Sequence, residues 1–209
     1  MRRVLRFNRR NKIKNPKIIN PDRVASGWEN VVEKTIESML LNKDSISLVD
    51  IGCSDGRKGS RRYVNEYNLD PRNITGIEVQ DKHIKTWKEF LPTSPIHKLD
   101  FIKNPISELD IGKFNVALLC EVLEHIEKTS QQIDLLHNVI NLITTGGGLH
   151  ITFPKTTLLS CPIKEPFGHK CKEVAIKDII AFLDLHFDDV SSGQAKNHIT
   201  FQIFALRKK

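Results

Sequence analysis

Short β-rich runs alternate with longer helix-patterned stretches from residue 45 almost to the end of the chain, and few architectures accept that order. Residues 45–51 (SISLVDI) read as a strand that enters a glycine-rich turn, and residues 57–68 as a helix. Residues 73–78 (NITGIE) give a second strand, and 81–91 a second helix capped by Asp81. A short third strand spans 95–99 and ends at Asp100. Residues 114–120 (FNVALLC) are almost wholly apolar, as a strand buried on both faces should be. In 130–143, Ile133, Leu136, Val139, Ile140 and Ile143 share one side of a helix. Gly146, Gly147 and Gly148 end that unit, with a fifth strand at 149–153. A helix at 172–185 and strands at 187–190 and 198–206 complete the series.

Strands that alternate with helices pair in parallel through right-handed crossovers. The expected fold is therefore α/β, a doubly wound, seven-stranded, mostly parallel sheet. Between the last two strands lies only the stretch 191–197, a hairpin length, so the final strand should run antiparallel to its neighbour. Upstream, 26–41 has helical spacing, with Ser26 and Glu29 placed as a capping box. The expected organisation is a basic arm over 1–25 and one domain over 26–209.

Charge sets that arm apart. Residues 1–17 carry Arg2, Arg3, Arg6, Arg9, Arg10, Lys12, Lys14 and Lys17 and no acid, so a total of +7 leaves the remainder near −1. Such an arm either binds an acidic surface such as nucleic acid or is a solvated tail. No apolar run approaches the ~18 residues that span a membrane, so no membrane partner is expected. The N-terminus lacks the apolar stretch of a secretory signal. Cys53, Cys120, Cys161 and Cys171 form no CxxC pair, which points to a reducing compartment and a cytoplasmic location.

In doubly wound sheets ligands bind beyond the carboxyl ends of the strands, where strand order reverses. At those ends stand Asp50 with the small residues Gly52, Cys53, Ser54 and Gly56, then Glu78, then Asp100 with Phe101, then Cys120 with Glu121. Small residues let a turn approach a ligand closely. An acid some twenty residues past a glycine turn suits a ribose diol, because a carboxylate accepts two hydroxyl hydrogen bonds. Asp50 is equally able to cap the next helix, and Asp100 to serve as a turn residue.

The run LVDIGCSDG resembles motif I of the class I S-adenosylmethionine-dependent methyltransferases, with Ser54 at its middle glycine. GIEVQDKHI, KLDF, FNVALLCEVLEHI and TTGGGLHITFP are similar to the family's later motifs, in the family's order, over roughly residues 26–206. The resemblance implies a Rossmann-like methyltransferase fold and S-adenosyl-L-methionine as cofactor. It implies that Asp50 and the 52–56 backbone hold the methionine end and Glu78 the ribose. Asp100 and Phe101 would then meet the adenine, and Cys120 and Glu121 would line the far wall.

Glu121, Glu124 and His125 form E-x-x-E-H, and His169 follows in PFGHK. The pattern resembles that of small-RNA 3′-terminal 2′-O-methyltransferases, where such groups hold a metal, and of quinone-biosynthesis O-methyltransferases. Three readings stand: a cofactor wall and helix start, general-base catalysis at His125 with Glu124 and His169, or a divalent metal on Glu121, Glu124, His125 and His169. The metal is the least favoured. Cys161, His169 and Cys171 match no standard zinc spacing. The function expected is methylation of a small-molecule hydroxyl. The alternatives are an RNA methyltransferase (2′-O or base) guided by residues 1–17, and a non-catalytic cofactor-binding protein in which Ser54 marks decay.

Overall fold

The structure is a computed structural model, and it describes residues 43–154, 174–194 and 200–207. Strands β1 (Leu48–Ile51), β2 (Ile74–Glu78), β3 (Ile96–Lys98), β4 (Phe114–Cys120), β5 (Ile143–Pro154), β6 (Asp189–Gln194) and β7 (Thr200–Leu206) form one sheet in the order β3-β2-β1-β4-β5-β7-β6. Strands β1 to β5 pair in parallel, and β7 runs antiparallel to both β5 and β6. The chain moves outward from β1 to β3, then crosses back to β4 on the other side of β1. That reversal puts the carboxyl ends of β1 and β4 side by side at the switch point.

Among the described residues the α-helices are α1 (Ser60–Tyr67), α2 (Asp81–Phe90), α3 (Thr129–Asn141) and α4 (Ile176–Asp184). Alternation along β1 and β4 sorts the core into two faces. Leu48, Val116 and Leu118 pack with Tyr63 of α1 and Trp87 of α2. Val49, Ile51, Ala117 and Leu119 pack with Leu136 and Val139 of α3 and Ile179 and Leu183 of α4. Both faces are covered, which is why β1 and β2 are buried at every position.

Four expectations need correction. The glycines 146–148 do not end a helix unit; they lie inside β5, which starts at Ile143. Pairing with β4 jumps there from Phe114↔Ile143 to Val116↔Gly148, an irregularity that absorbs the extra residues. Asp81 is not the cap of α2: Gln80 occupies that position without a side-chain bond, and Asp81 pairs with Lys98 at 2.7 Å. Helix α1 starts three residues later than expected, because residues 57–59 complete the glycine turn. Strand β6 reaches into the stretch read as a hairpin loop, where its serines and glycine sit on a sheet edge. The basic arm, the 26–41 helix, and residues 161, 169 and 171 lie outside the described residues.

Candidate functional site

The turn after β1 is bent by three left-handed residues in alternation: Gly52 (φ 68°), Ser54 (φ 51°) and Gly56 (φ 78°). Gly52 and Cys53 donate backbone N–H bonds to Ile77 O at 2.9 and 3.2 Å, which ties the turn to the end of β2. A side chain at Gly52 would sit 2.8 Å from Val122 Cγ2 and 3.3 Å from the tip of the Phe101 ring. Beneath the turn, the fully buried Trp87 lies 3.1 Å from the Cβ position of Gly56 and 3.0 Å from that of Gly76. Two glycines thus allow one indole to support the turn from inside.

Glu78 ends β2 and is buried. Its Oε2 accepts the Ser54 N–H at 2.8 Å, and its Oε1 accepts those of Val79 and Gln80 at 2.8 and 2.9 Å. A carboxylate has about four acceptor positions, so three backbone bonds fix its orientation and leave it able to accept another. His83 Nδ1 stands 3.8 Å away. Next to Glu78, Val79 is 42% exposed, a large apolar side chain turned to solvent beside the turn.

Asp50 is 1% exposed. Its Oδ2 accepts from Ser60 N at 2.9 Å and Ser60 Oγ at 2.7 Å, so its carboxylate caps α1. A side chain on Gly59 would come within 2.6 Å of that oxygen. Burial outweighs the Ser60 bonds and pushes the Asp50 carboxyl up to about 6. Asp100 lies at the end of β3, 2.9 Å from Lys103, and its carbonyl accepts from Lys103 N and Asn104 N at 3.0 and 2.9 Å. The Lys103 ammonium holds the Asp100 carboxyl below the usual carboxylate range. Both acids therefore organise their own turns, the local roles open to them in the sequence. Phe101 packs against the core and lines a shallow depression with Ile102, Gln131 and Asp134.

Cys120, at the end of β4, and Cys53, in the turn after β1, are buried free thiols whose burial pushes them up, so neither is a thiolate. Glu121 adopts φ 56°, and its N–H reaches Thr152 O at 2.8 Å. Non-glycine residues rarely adopt such angles, and they gather at functional sites. Glu121 and Ser54 place two of them on neighbouring strand ends. Lys58, from the glycine turn, makes an ion pair with Glu121 Oε2. Leu123, Glu124 and His125 form a single 3₁₀ turn. Glu124 is 0% exposed, and burial pushes its carboxyl up to about 7. His125 is half-buried on the same turn. No group of three His, Cys, Asp or Glu side chains among the described residues is arranged to hold a metal.

Strand ends thus bring Gly52, Cys53, Ser54, Gly56, Glu78, Phe101, Cys120 and Glu121 to one edge, with Asp100 at its β3 side. Lys58, Val79 and Val122 escaped the sequence reading. Each adjoins a residue it did single out, but nothing in spacing says which neighbour faces the edge.

No protein-family model matches the chain, and no curated protein matches it in sequence. Solved structures do resemble it. One is the N-methyltransferase NodS from Bradyrhizobium japonicum, with TM-score 0.57, 15% identity, and 86% of this chain and 93% of that chain covered. Another is an S-adenosylmethionine-dependent methyltransferase from Clostridium acetobutylicum, with TM-score 0.63, 13% identity, and 86% and 89% covered. A third is the magnesium protoporphyrin IX methyltransferase from Synechocystis with bound cofactor, with TM-score 0.56, 16% identity, and 85% and 76% covered. The fold is that of the class I S-adenosylmethionine-dependent methyltransferases.

Proposed function

We propose that this chain is an S-adenosylmethionine-dependent methyltransferase that methylates a hydroxyl of a small-molecule acceptor by direct in-line transfer. Glu78 carries the reading: an acid at the end of β2, fixed by three backbone N–H bonds beside a glycine turn too tight for a side chain at Gly52. That is the chemistry a ribose diol requires. The cofactor, when bound, supplies an already activated sulfonium methyl, so the chain's part is to orient the partners and exclude water.

In this reading the 52–56 backbone and Glu78 hold the nucleoside, with Asp100 and Phe101 at its adenine end. Val79 offers an apolar surface to the base, and Cys120 and Glu121 form the wall toward β4. Asp50 keeps the turn in shape by fastening α1 to β1. A hydroxyl acceptor must also lose a proton, best to a group whose pKa lies near the working pH. The sequence's candidates for that role are the half-buried His125, the neighbouring Glu124, fully buried and pushed up to about 7, and His169, which lies outside the described residues.

One neighbour is an N-methyltransferase and another a magnesium protoporphyrin IX methyltransferase, so the shared sheet does not by itself fix the acceptor. The RNA alternative rests on the charge of residues 1–17 and on the resemblance of Glu121, Glu124 and His125 to the pattern of the small-RNA enzymes. The non-catalytic alternative is weakened by Ser54, whose N–H still reaches Glu78 at 2.8 Å.

Calorimetric titration of S-adenosylhomocysteine tests the reading. Wild type should bind in the micromolar range, and Glu78→Ala should weaken binding at least about tenfold, as expected when bonds to a charged group are lost. Absence of binding to wild type, or an unaffected Glu78→Ala, would overturn it.

A further inference from the structure

We infer that Lys58 and Glu121 form a two-charge clamp for the zwitterionic amino-acid end of the cofactor, an inference that rests on the cofactor reading above. Along the sheet edge the order β3-β2-β1-β4 places Asp100 and Phe101 first, then Glu78, then the glycine turn, then Glu121. A ligand with its adenine near β3 and its ribose at Glu78 points its remaining end across β1 toward β4. That end of S-adenosylmethionine carries an α-ammonium and an α-carboxylate.

At that place Lys58 and Glu121 present a cation and an anion side by side. Lys58 leaves the turn between Gly56 and Gly59 and pairs with Glu121 Oε2. The Glu121 side chain is 12% exposed and that of Lys58 38%. Because Glu121 directly follows β4, that pairing sets the Lys58 ammonium at the end of β4. Glu121 is held there by a left-handed backbone at φ 56° and by its N–H bond to Thr152 O.

A zwitterion fits this pair by exchange. Lys58 turns to the ligand carboxylate, and Glu121 accepts from the ligand ammonium. Each half-buried charge keeps an opposite partner, so entry leaves none uncompensated. A ligand that lacks the amino-acid end must leave the Lys58–Glu121 pair closed. The two residues therefore select for ligands that carry both charges.

Calorimetric titration of wild type, Lys58→Met, Lys58→Arg and Glu121→Gln with two probes tests this. S-adenosylhomocysteine carries the zwitterion, and 5′-methylthioadenosine has the same nucleoside without it. Lys58→Met and Glu121→Gln should each weaken S-adenosylhomocysteine about tenfold or more, while 5′-methylthioadenosine changes less than about threefold. Lys58→Arg, which keeps the charge, should stay within about threefold of wild type for both. Thermal melts that match wild type establish that the variants are folded. If wild type binds S-adenosylhomocysteine and Lys58→Met leaves that unchanged, or weakens both probes equally, the clamp is wrong and the cofactor site stands. If wild type binds neither probe, both readings fall.

Discussion

Ser54 sits at φ 51°, where a side chain meets the following carbonyl, and family motifs of this kind place glycine there. By size alone, serine suffices at that position. The structure makes the backbone angle the relevant property. The left-handed angle costs a non-glycine residue about 1–2 kcal/mol, and the entropy glycine loses on folding offsets roughly 0.5–1 kcal/mol. Ser54→Gly should therefore stabilise by about 0.5–1 kcal/mol, and Ser54→Val, β-branched, should destabilise by about 2 kcal/mol. Urea midpoints at fixed slope measure both; a destabilised Ser54→Gly would mean that the hydroxyl contributes more than the strain costs. The acids divide in the same way. The position of Glu78 at the end of β2 was legible, whereas its three backbone bonds were not, because they depend on how the turn after β1 folds against it. The capping role of Asp50 was one of two readings open in the sequence, and its bonds from Ser60 N and Oγ at 2.9 and 2.7 Å depend on a fold the local sequence does not show.

At the scale of elements, strand β4 was legible to the residue, since seven nearly continuous apolar positions have one comfortable setting, a strand covered on both faces. Strand β5 was not. Three consecutive glycines are a breaker signal read locally, and their use as an irregularity inside a strand depends on where the partner strand lies. Asn115 and Thr144 supply that missing information: a side chain on Gly147 would stand 2.6 Å from Asn115 O and 3.0 Å from Thr144 O. Both are backbone atoms and cannot rotate away. Gly147→Ala is therefore expected to cost about 1–3 kcal/mol by overpacking. Gly112→Ala has nothing within 4 Å to meet and is limited to the strain of its φ of 75°. Denaturant unfolding of the two variants checks the contrast. Equal losses would mean that the crowding at Gly147 relaxes at no cost.

For the whole molecule, the alternation of strands and helices made a doubly wound sheet readable, and a hairpin-length gap announced the antiparallel ending. The insertion of β7 between β5 and β6 was not readable from periodicity, because each strand of that pair satisfies the same pattern on either side. Three buried groups also escaped local reading as a set, and they act together on stability. Burial pushes Asp50 up from 3.8 to about 6 and Glu124 up from 4.5 to about 7. It pushes His150, whose Nε2 lies 3.2 Å from Gln202 Oε1, down from 6.5 to about 4. A carboxyl raised on folding holds a proton in the native state that the unfolded chain has lost, so stability falls as pH climbs from the unfolded to the folded value. A lowered histidine has the opposite sign: the unfolded chain holds the extra proton, and stability is lost as pH falls from 6.5 toward about 4. Between about pH 5 and pH 8 the two carboxyls outweigh the histidine, and the three together should remove about 2 kcal/mol of stability, at ~1.4 kcal/mol per unit. Glu124→Gln cannot ionise, so its unfolding free energy should be nearly level over the same range and should exceed that of wild type at pH 8. Urea unfolding of both proteins at pH 5 and pH 8 measures the difference. Parallel pH profiles would mean that Glu124 is already ionised in the native state at pH 5, with the Lys58 charge outweighing its burial.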